Sequence, residues 1–312
     1  MTEGAMSEGE NENEGENTAA IHDLGYQRYV GGRRPQHTRY QVIVRNMISM
    51  AWKGWWRYKL PLVAAFATMV GIAFGIYFSR HKIFAGAPGM GEQIRTIADS
   101  LIPQSYTYFG YTSLLVCLTV LAGTVSRDLK AGAFEFYFSR PVRPVDYVIG
   151  KLTGAFLLLA PILLLGPFLL TIYRLGMTGD LDRTVDTLSW LPRSLFVGLI
   201  ATMAQASVAL AFGAITRKPR YAVAGYAAFT FMFGGIVSGI AYATDLPQLA
   251  ALDLNAAIAG LSSGVFETSF LFGTAGPSLG ISLISLLSYI TLSVLIILWR
   301  VRDAQRAGMG GG

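Results

Sequence analysis

Gly150-Lys151 is the one Gly-Lys pair in this chain of 312 residues, and cradling a nucleotide phosphate is the chemistry such a pair would serve. That loop needs Gly-x-x-x-x-Gly-Lys-Ser/Thr, so that backbone N–H groups and the lysine surround phosphate oxygens. Here Val145 stands where the first glycine would be and Leu152 follows the lysine, so the chain carries no P-loop. Other reactive residues are few. Cys117, the single cysteine, lies in an apolar run, where a small buried hydrophobe is its ordinary state; alone it forms no intramolecular disulfide and no cysteine-based metal site. His22, His37 and His81 have no metal-ligand spacing. Carriers driven by an ion gradient need ionisable groups at membrane depth, and the six long apolar runs of this chain hold none. Coupling to an ion gradient is therefore disfavoured.

The remaining chemistry is concentrated between Ser126 and Lys151. Arg127, Asp128, Lys130, Glu135, Arg140, Arg143, Asp146 and Lys151 fall within these 26 residues, while Ser100–Ser126 and Leu152–Tyr173 on either side carry no other charge. A charged side chain at mid-bilayer costs about 2.5–3.5 kcal/mol on insertion scales, so this island must lie outside the hydrocarbon between two spans. Lys130 to Ser139 reads as a short helix after Gly132, ended by the Arg140-Pro141 and Arg143-Pro144 pairs. Phe134, Tyr137 and Phe138 fall at three- and four-residue spacings and give it an aromatic side, suited to docking on a protein partner. A solvated loop that only satisfies topology is the alternative.

The run from Gly132 to Arg143, GAFEFYFSRPVR, followed by Gly150-Lys151, resembles the cytosolic loop of bacterial permeases of the ABC type-2 exporter family. Asp128 stands at the first acidic position of that loop and Lys130 at the second. The resemblance implies a coupling helix seated in a groove of a cytosolic ATP-binding-cassette subunit, with Asp128, Lys130, Phe134, Glu135, Phe138, Arg140 and Arg143 as coupling residues. It also implies that ATP and Mg belong to that partner, with no cofactor and no catalytic residue in this chain. A second permease copy, identical or related, would complete a dimer.

Composition sets the class of protein that must position this island. The chain is 53% apolar and 14% charged, well below the charge of about 25% usual in soluble domains, so it is an integral membrane protein. Its net charge of +6 sits beside apolar runs and not on one soluble face, which disfavours nucleic acid as a partner. Residues 1–20 form an acidic, Gly- and Asn-rich stretch with Glu3, Glu8, Glu10, Glu12, Glu14 and Glu16, expected as a disordered tail and not a signal peptide. Residues 21–37 turn basic and are expected to be extended on the cytosolic face; residues 307–312 are expected as a flexible Gly-rich end.

Between them lies a six-span permease domain, 38–306. From Thr38 to Lys59, Val44, Met47, Ile48, Ala51, Trp52 and Trp55 fall on one helical side and Arg45, Ser49, Lys53 and Arg57 on the other. Basic residues opposite tryptophan describe an interfacial helix, and the family has an elbow helix here; a surface helix packed on protein is the alternative. Uncharged runs at Leu60–Ser79, Ser100–Ser126, Leu152–Tyr173, Ser194–Thr216, Tyr221–Thr244 and Thr268–Trp299 each hold the roughly 20 residues a helix needs to cross. Lys and Arg cluster before the first run and after the second, fourth and sixth, which puts both termini in the cytosol, and the resemblance implies a bacterial inner membrane.

Gly71-x-x-x-Gly75, Gly150-x-x-x-Gly154 and Gly235-x-x-x-Gly239 let helix backbones approach closely, within the chain or across a dimer. By resemblance the first and fifth spans meet at the dimer seam, which assigns Gly71, Gly75, Gly235 and Gly239 to it. Pro161 and Gly166-Pro167 should kink the third span. Leu254–Phe266 is uncharged but only 13 residues long, too short to cross; a re-entrant outer hairpin before the last span or an ordinary outer loop would account for it. The expected fold is all-α. The expected function is the membrane-spanning subunit of an ABC exporter; a scaffold without transport and a secondary carrier are the readings from other classes.

Overall fold

Among the described residues all regular structure is helical, as apolar segments with no water to satisfy their peptide groups require. The computed structural model describes residues 38, 40–80, 90–134, 143–177, 181–268 and 276–309. The expected tails at 1–20 and 21–37 therefore lie outside the described residues. Six helical stretches are long and apolar enough to cross a membrane: Trp55–Ser79, Ile97–Lys130, Pro144–Gly176, Thr187–Ile215, Pro219–Ala243 and Leu279–Arg306.

The first helix, α1 (Tyr40–Lys53), precedes them and stops at the extended Gly54. The first span is a π-helical turn, Trp55–Lys59, running into α2 (Leu60–Arg80). The second combines α3 (Met90–Val116), a π-helical turn at Cys117–Leu121 and α4 (Thr124–Lys130). The third is α5 (Pro144–Leu163) and α6 (Leu165–Gly176), and the fourth is α7 (Leu181–Ile215). The fifth joins α8 (Pro219–Ala227) to α9 (Gly234–Ala243) through a π-helical turn, Ala228–Phe233. A 3-10 turn, Pro247–Leu252, and α10 (Leu254–Phe266) lead to the last span in α11 (Leu279–Met309).

The helices overrun the uncharged runs because hydrocarbon thickness limits apolar length, not helix length. The third span shows this: it opens at Pro144, not at Leu152, since proline at the first helical position loses no hydrogen bond, and Asp146 Oδ2 accepts from Arg143 N at 3.2 Å. The sixth starts late. Gly276, Pro277 and Ser278 are non-helical and α11 begins at Leu279, so the run from Thr268 overstates that span. At its other end α11 continues to Met309, into the stretch expected as a flexible tail. The third span breaks at Leu164, as Pro161 and Pro167 require: Pro167 has no N–H to offer Leu163, and the break lies against Gly198 of α7.

Burial divides the spans into two groups. In their most apolar stretches the second, third and fourth are 78%, 56% and 67% buried, against 22%, 17% and 22% for the first, fifth and sixth. The interior is therefore built around α7, where small side chains such as Ala201, Ala204 and Ala209 are fully buried and admit close neighbours. Beside it, α1 docks on α5 through Ile43, Met47 and Ala51. A Cβ at Gly150 would stand 2.9 Å from Ile43 Cβ and 3.1 Å from the Tyr40 carbonyl oxygen, and one at Gly154 would stand 2.9 Å from Met47 Sδ. The Gly150-x-x-x-Gly154 motif is thus an intramolecular seat for α1.

Candidate functional site

The two ends of the charged segment are tied together at the base of the second and third spans. Lys151 Nζ lies 2.7 Å from Asp128 Oδ2, and the Tyr147 hydroxyl donates to the same oxygen at 2.7 Å. Tyr147 and Lys151 are four residues apart on α5, so they share the face that meets α4. Lys151 is only 4% exposed, and an ammonium so far from water needs its carboxylate partner. Arg127 turns elsewhere. Its Nε donates to Gly123 O at 3.1 Å and a terminal nitrogen donates to Val120 O at 3.0 Å, occupying carbonyls beside the π-helical turn. Gly132 then takes a left-handed backbone, φ 63°, which ends α4 and turns the chain.

Phe134 is 6% exposed and packs edge-on against Tyr147, with ring centroids 5.0 Å apart, so this side of the ring faces the protein. The spacing gave it a helix side but could not say which side faces inward. Lys130 and Arg143 are exposed at the two ends of the segment. Glu135, Phe138 and Arg140 lie outside the described residues.

Of the four glycines expected at a seam between copies, Gly75 meets Leu101 of α3, where an added Cβ would lie 3.2 Å from Leu101 Cδ1. Gly71, Gly235 and Gly239 have open space where a Cβ would point.

A polar cluster missing from the expectations lies in the interior. Gln205 of α7 is fully buried and its Nε2 donates to Asn255 Oδ1 at 3.3 Å and to Gly110 O at 3.4 Å, while Ser113 Oγ meets its Oε1. These bonds join α3 and α7 to the start of α10. Asp253 caps that helix, accepting from Asn255 N at 3.1 Å and from Ser238 Oγ at 3.0 Å. Burial raises the Asp253 carboxyl above its ordinary range, with the hydrogen bonds from Asn255, Ser238 and Ala256 acting against that rise. Ser262 Oγ donates to Pro103 O at 3.1 Å and fixes the far end of α10 to α3.

A family profile described as ABC-2 family transporter protein matches residues 8–301, nearly the whole chain. The chain belongs to that family. Among curated proteins none matches the sequence. Membership makes the chain a multi-pass permease component of an ABC transporter, a class whose membrane subunit works with an ATP-binding-cassette partner.

Within this permease the charged segment is the largest interruption between two interior spans, and its ion pair is the tie that sequence reasoning passed over. The signal was there: an acid at the end of one span and a lysine seven residues beyond Pro144, where the next helix opens (151 − 144), too deep to be solvated. Gln205, Asn255 and Ser113 gave no comparable signal, since single uncharged polar residues are common in membrane helices and only their convergence marks them.

Proposed function

We propose that this permease is an exporter subunit that works as a dimer and is driven by cytosolic ATPase subunits through the segment 126–147. The observation that carries this reading is the Asp128–Lys151 ion pair, in which the lysine is buried, with Tyr147 on the same carboxylate. A push delivered to the segment by a partner would move the second and third spans together, because breaking the pair would strand a buried charge. Those two spans belong to the buried group with the fourth, so their displacement would reshape the interior. Lys130 and Arg143, both exposed, supply rim charges that would set register more than affinity.

The outward dimer faces in this reading are the weakly buried first and fifth spans, where Gly71, Gly235 and Gly239 are open to a second copy, identical or related. The clustering of Lys and Arg supports cytosolic termini, and the likeness of the charged segment to that of bacterial permeases supports placement in a bacterial inner membrane. α10 serves as the returning arm of a re-entrant hairpin.

The test is capture of an ATPase on the tagged permease, followed by ATP hydrolysis and ATP-driven transport in inverted vesicles. Asp128→Asn should retain the ATPase yet separate hydrolysis from transport. Capture of no ATP-binding-cassette subunit by the parent would sink the reading, and ion-driven flux without ATP would replace it with a carrier.

A further inference from the structure

Beside the seam between α1 and α5 runs a groove of about 670 Å³, within the size range of small-molecule sites. Its floor is apolar, made by Val44, Ile48 and Trp52 of α1 and Leu157 of α5, and Arg45 and Lys53 border it. The close approach at Gly150 and Gly154 lets α1 turn Ile43 and Met47 into the protein while Val44, Ile48 and Trp52 stay on the groove side. Both basic residues are exposed, and no carboxylate among the described residues pairs with either. The stretch from Thr38 to Lys59 holds five Lys and Arg residues (Arg39, Arg45, Lys53, Arg57, Lys59) and no Asp or Glu. The groove is therefore complementary to an anion with an apolar body.

Its position says which anion. Lys53 is followed at once by the first span, and Trp52, Trp55 and Trp56 are 53%, 60% and 73% exposed around that start, as tryptophans at a headgroup layer are. Lys59 Nζ sits 5.5 Å from the Trp52 ring centroid and 5.1 Å from that of Trp55, adding a cation at the membrane end of the groove. We propose that the groove binds one anionic phospholipid of the cytosolic leaflet, its anionic headgroup drawn to the basic border formed by Arg45 and Lys53 and an acyl chain laid over Val44, Ile48 and Leu157. The leaflet assignment rests on the orientation proposed above; the binding itself requires neither an ATPase nor transport. A lipid so held would fasten α1 to the third span, the span whose first turns carry Tyr147 and Lys151.

The test uses the full chain in mild detergent, with phosphatidylglycerol or phosphatidylcholine added and bound lipid counted by native mass spectrometry. Phosphatidylglycerol should bind at one copy per chain and raise the melting temperature, with phosphatidylcholine weaker. Arg45→Gln with Lys53→Gln should lower the phosphatidylglycerol affinity on the order of tenfold or more, since each basic residue near an anionic surface contributes appreciably. Arg220→Gln, a basic change in another loop, should leave it unchanged. Leu157→Trp, which fills the groove with both cations intact, should remove binding even if the double variant misfolds. Equal binding of the two lipids, or phosphatidylglycerol binding unchanged by Leu157→Trp, would overturn the proposal. So would binding seen only after deletion of residues 1–36, which would make the Glu-rich stretch the occupant of the groove.

Discussion

Lys151 Nζ and Asp128 Oδ2 stand 2.7 Å apart, joining residues 23 positions apart in sequence (151 − 128) across the charged segment between the second and third spans. Removing the acid alone leaves an almost fully buried ammonium without its anion. Asp128→Ala should therefore destabilise the protein by about 3–5 kcal/mol, and adding Lys151→Met should recover most of that loss. Thermal unfolding in detergent reads both; a double variant as unstable as the single one would mean the pair is not what holds the two spans.

The buried contact of Phe134 with Tyr147 shifts what its removal does. Phe134→Ala should lower the melting temperature by creating a cavity worth about 3–5 kcal/mol, whereas Phe134→Leu should keep most of the packing and leave the ATPase bound. Release of the ATPase by Phe134→Leu at unchanged melting temperature would return Phe134 to the docking surface.

Glycines in similar motifs should respond in opposite ways. At Gly150 a larger side chain meets Ile43 Cβ and the Tyr40 carbonyl, so Gly150→Leu should cost about 1–3 kcal/mol and loosen α1 from α5. Gly235 and Gly239 have open space, so Gly235→Leu or Gly239→Leu should leave the fold intact and weaken the dimer. Light scattering on gel-filtered protein decides this, and unchanged dimer content in both variants would remove the fifth span from the interface.

Asp253 should make stability fall as pH rises. Its folded carboxyl titrates above the ordinary value of 3.8, so the folded state binds this proton more tightly than the unfolded chain does. Below 3.8 both states are protonated and the folded one keeps that advantage; it is lost as pH climbs from 3.8 through the raised folded value. Asp253→Asn, which retains an acceptor for Asn255 N, should flatten this part of the stability profile. A parent profile that rises with pH over that interval in step with the variant would contradict the assignment.

Crossing a membrane depends on local apolar length, which is a property of the chain read in one dimension. For that reason the sequence alone determined an all-helical protein with six spans, the place of the charged island, and the lack of a P-loop around Lys151. It also placed the break between Pro161 and Pro167, because a missing N–H is a local fact. Which side of a helix faces inward depends on neighbours that arrive from far along the chain. Only the tertiary structure decided that Phe134 is buried on Tyr147, that Gly150 and Gly154 receive α1 while Gly235 and Gly239 stay open, and that Gln205 meets Asn255 fifty residues away. The same holds for Lys151. Its charge was visible in the sequence, but its burial and its partner exist only where α4 and α5 pack together.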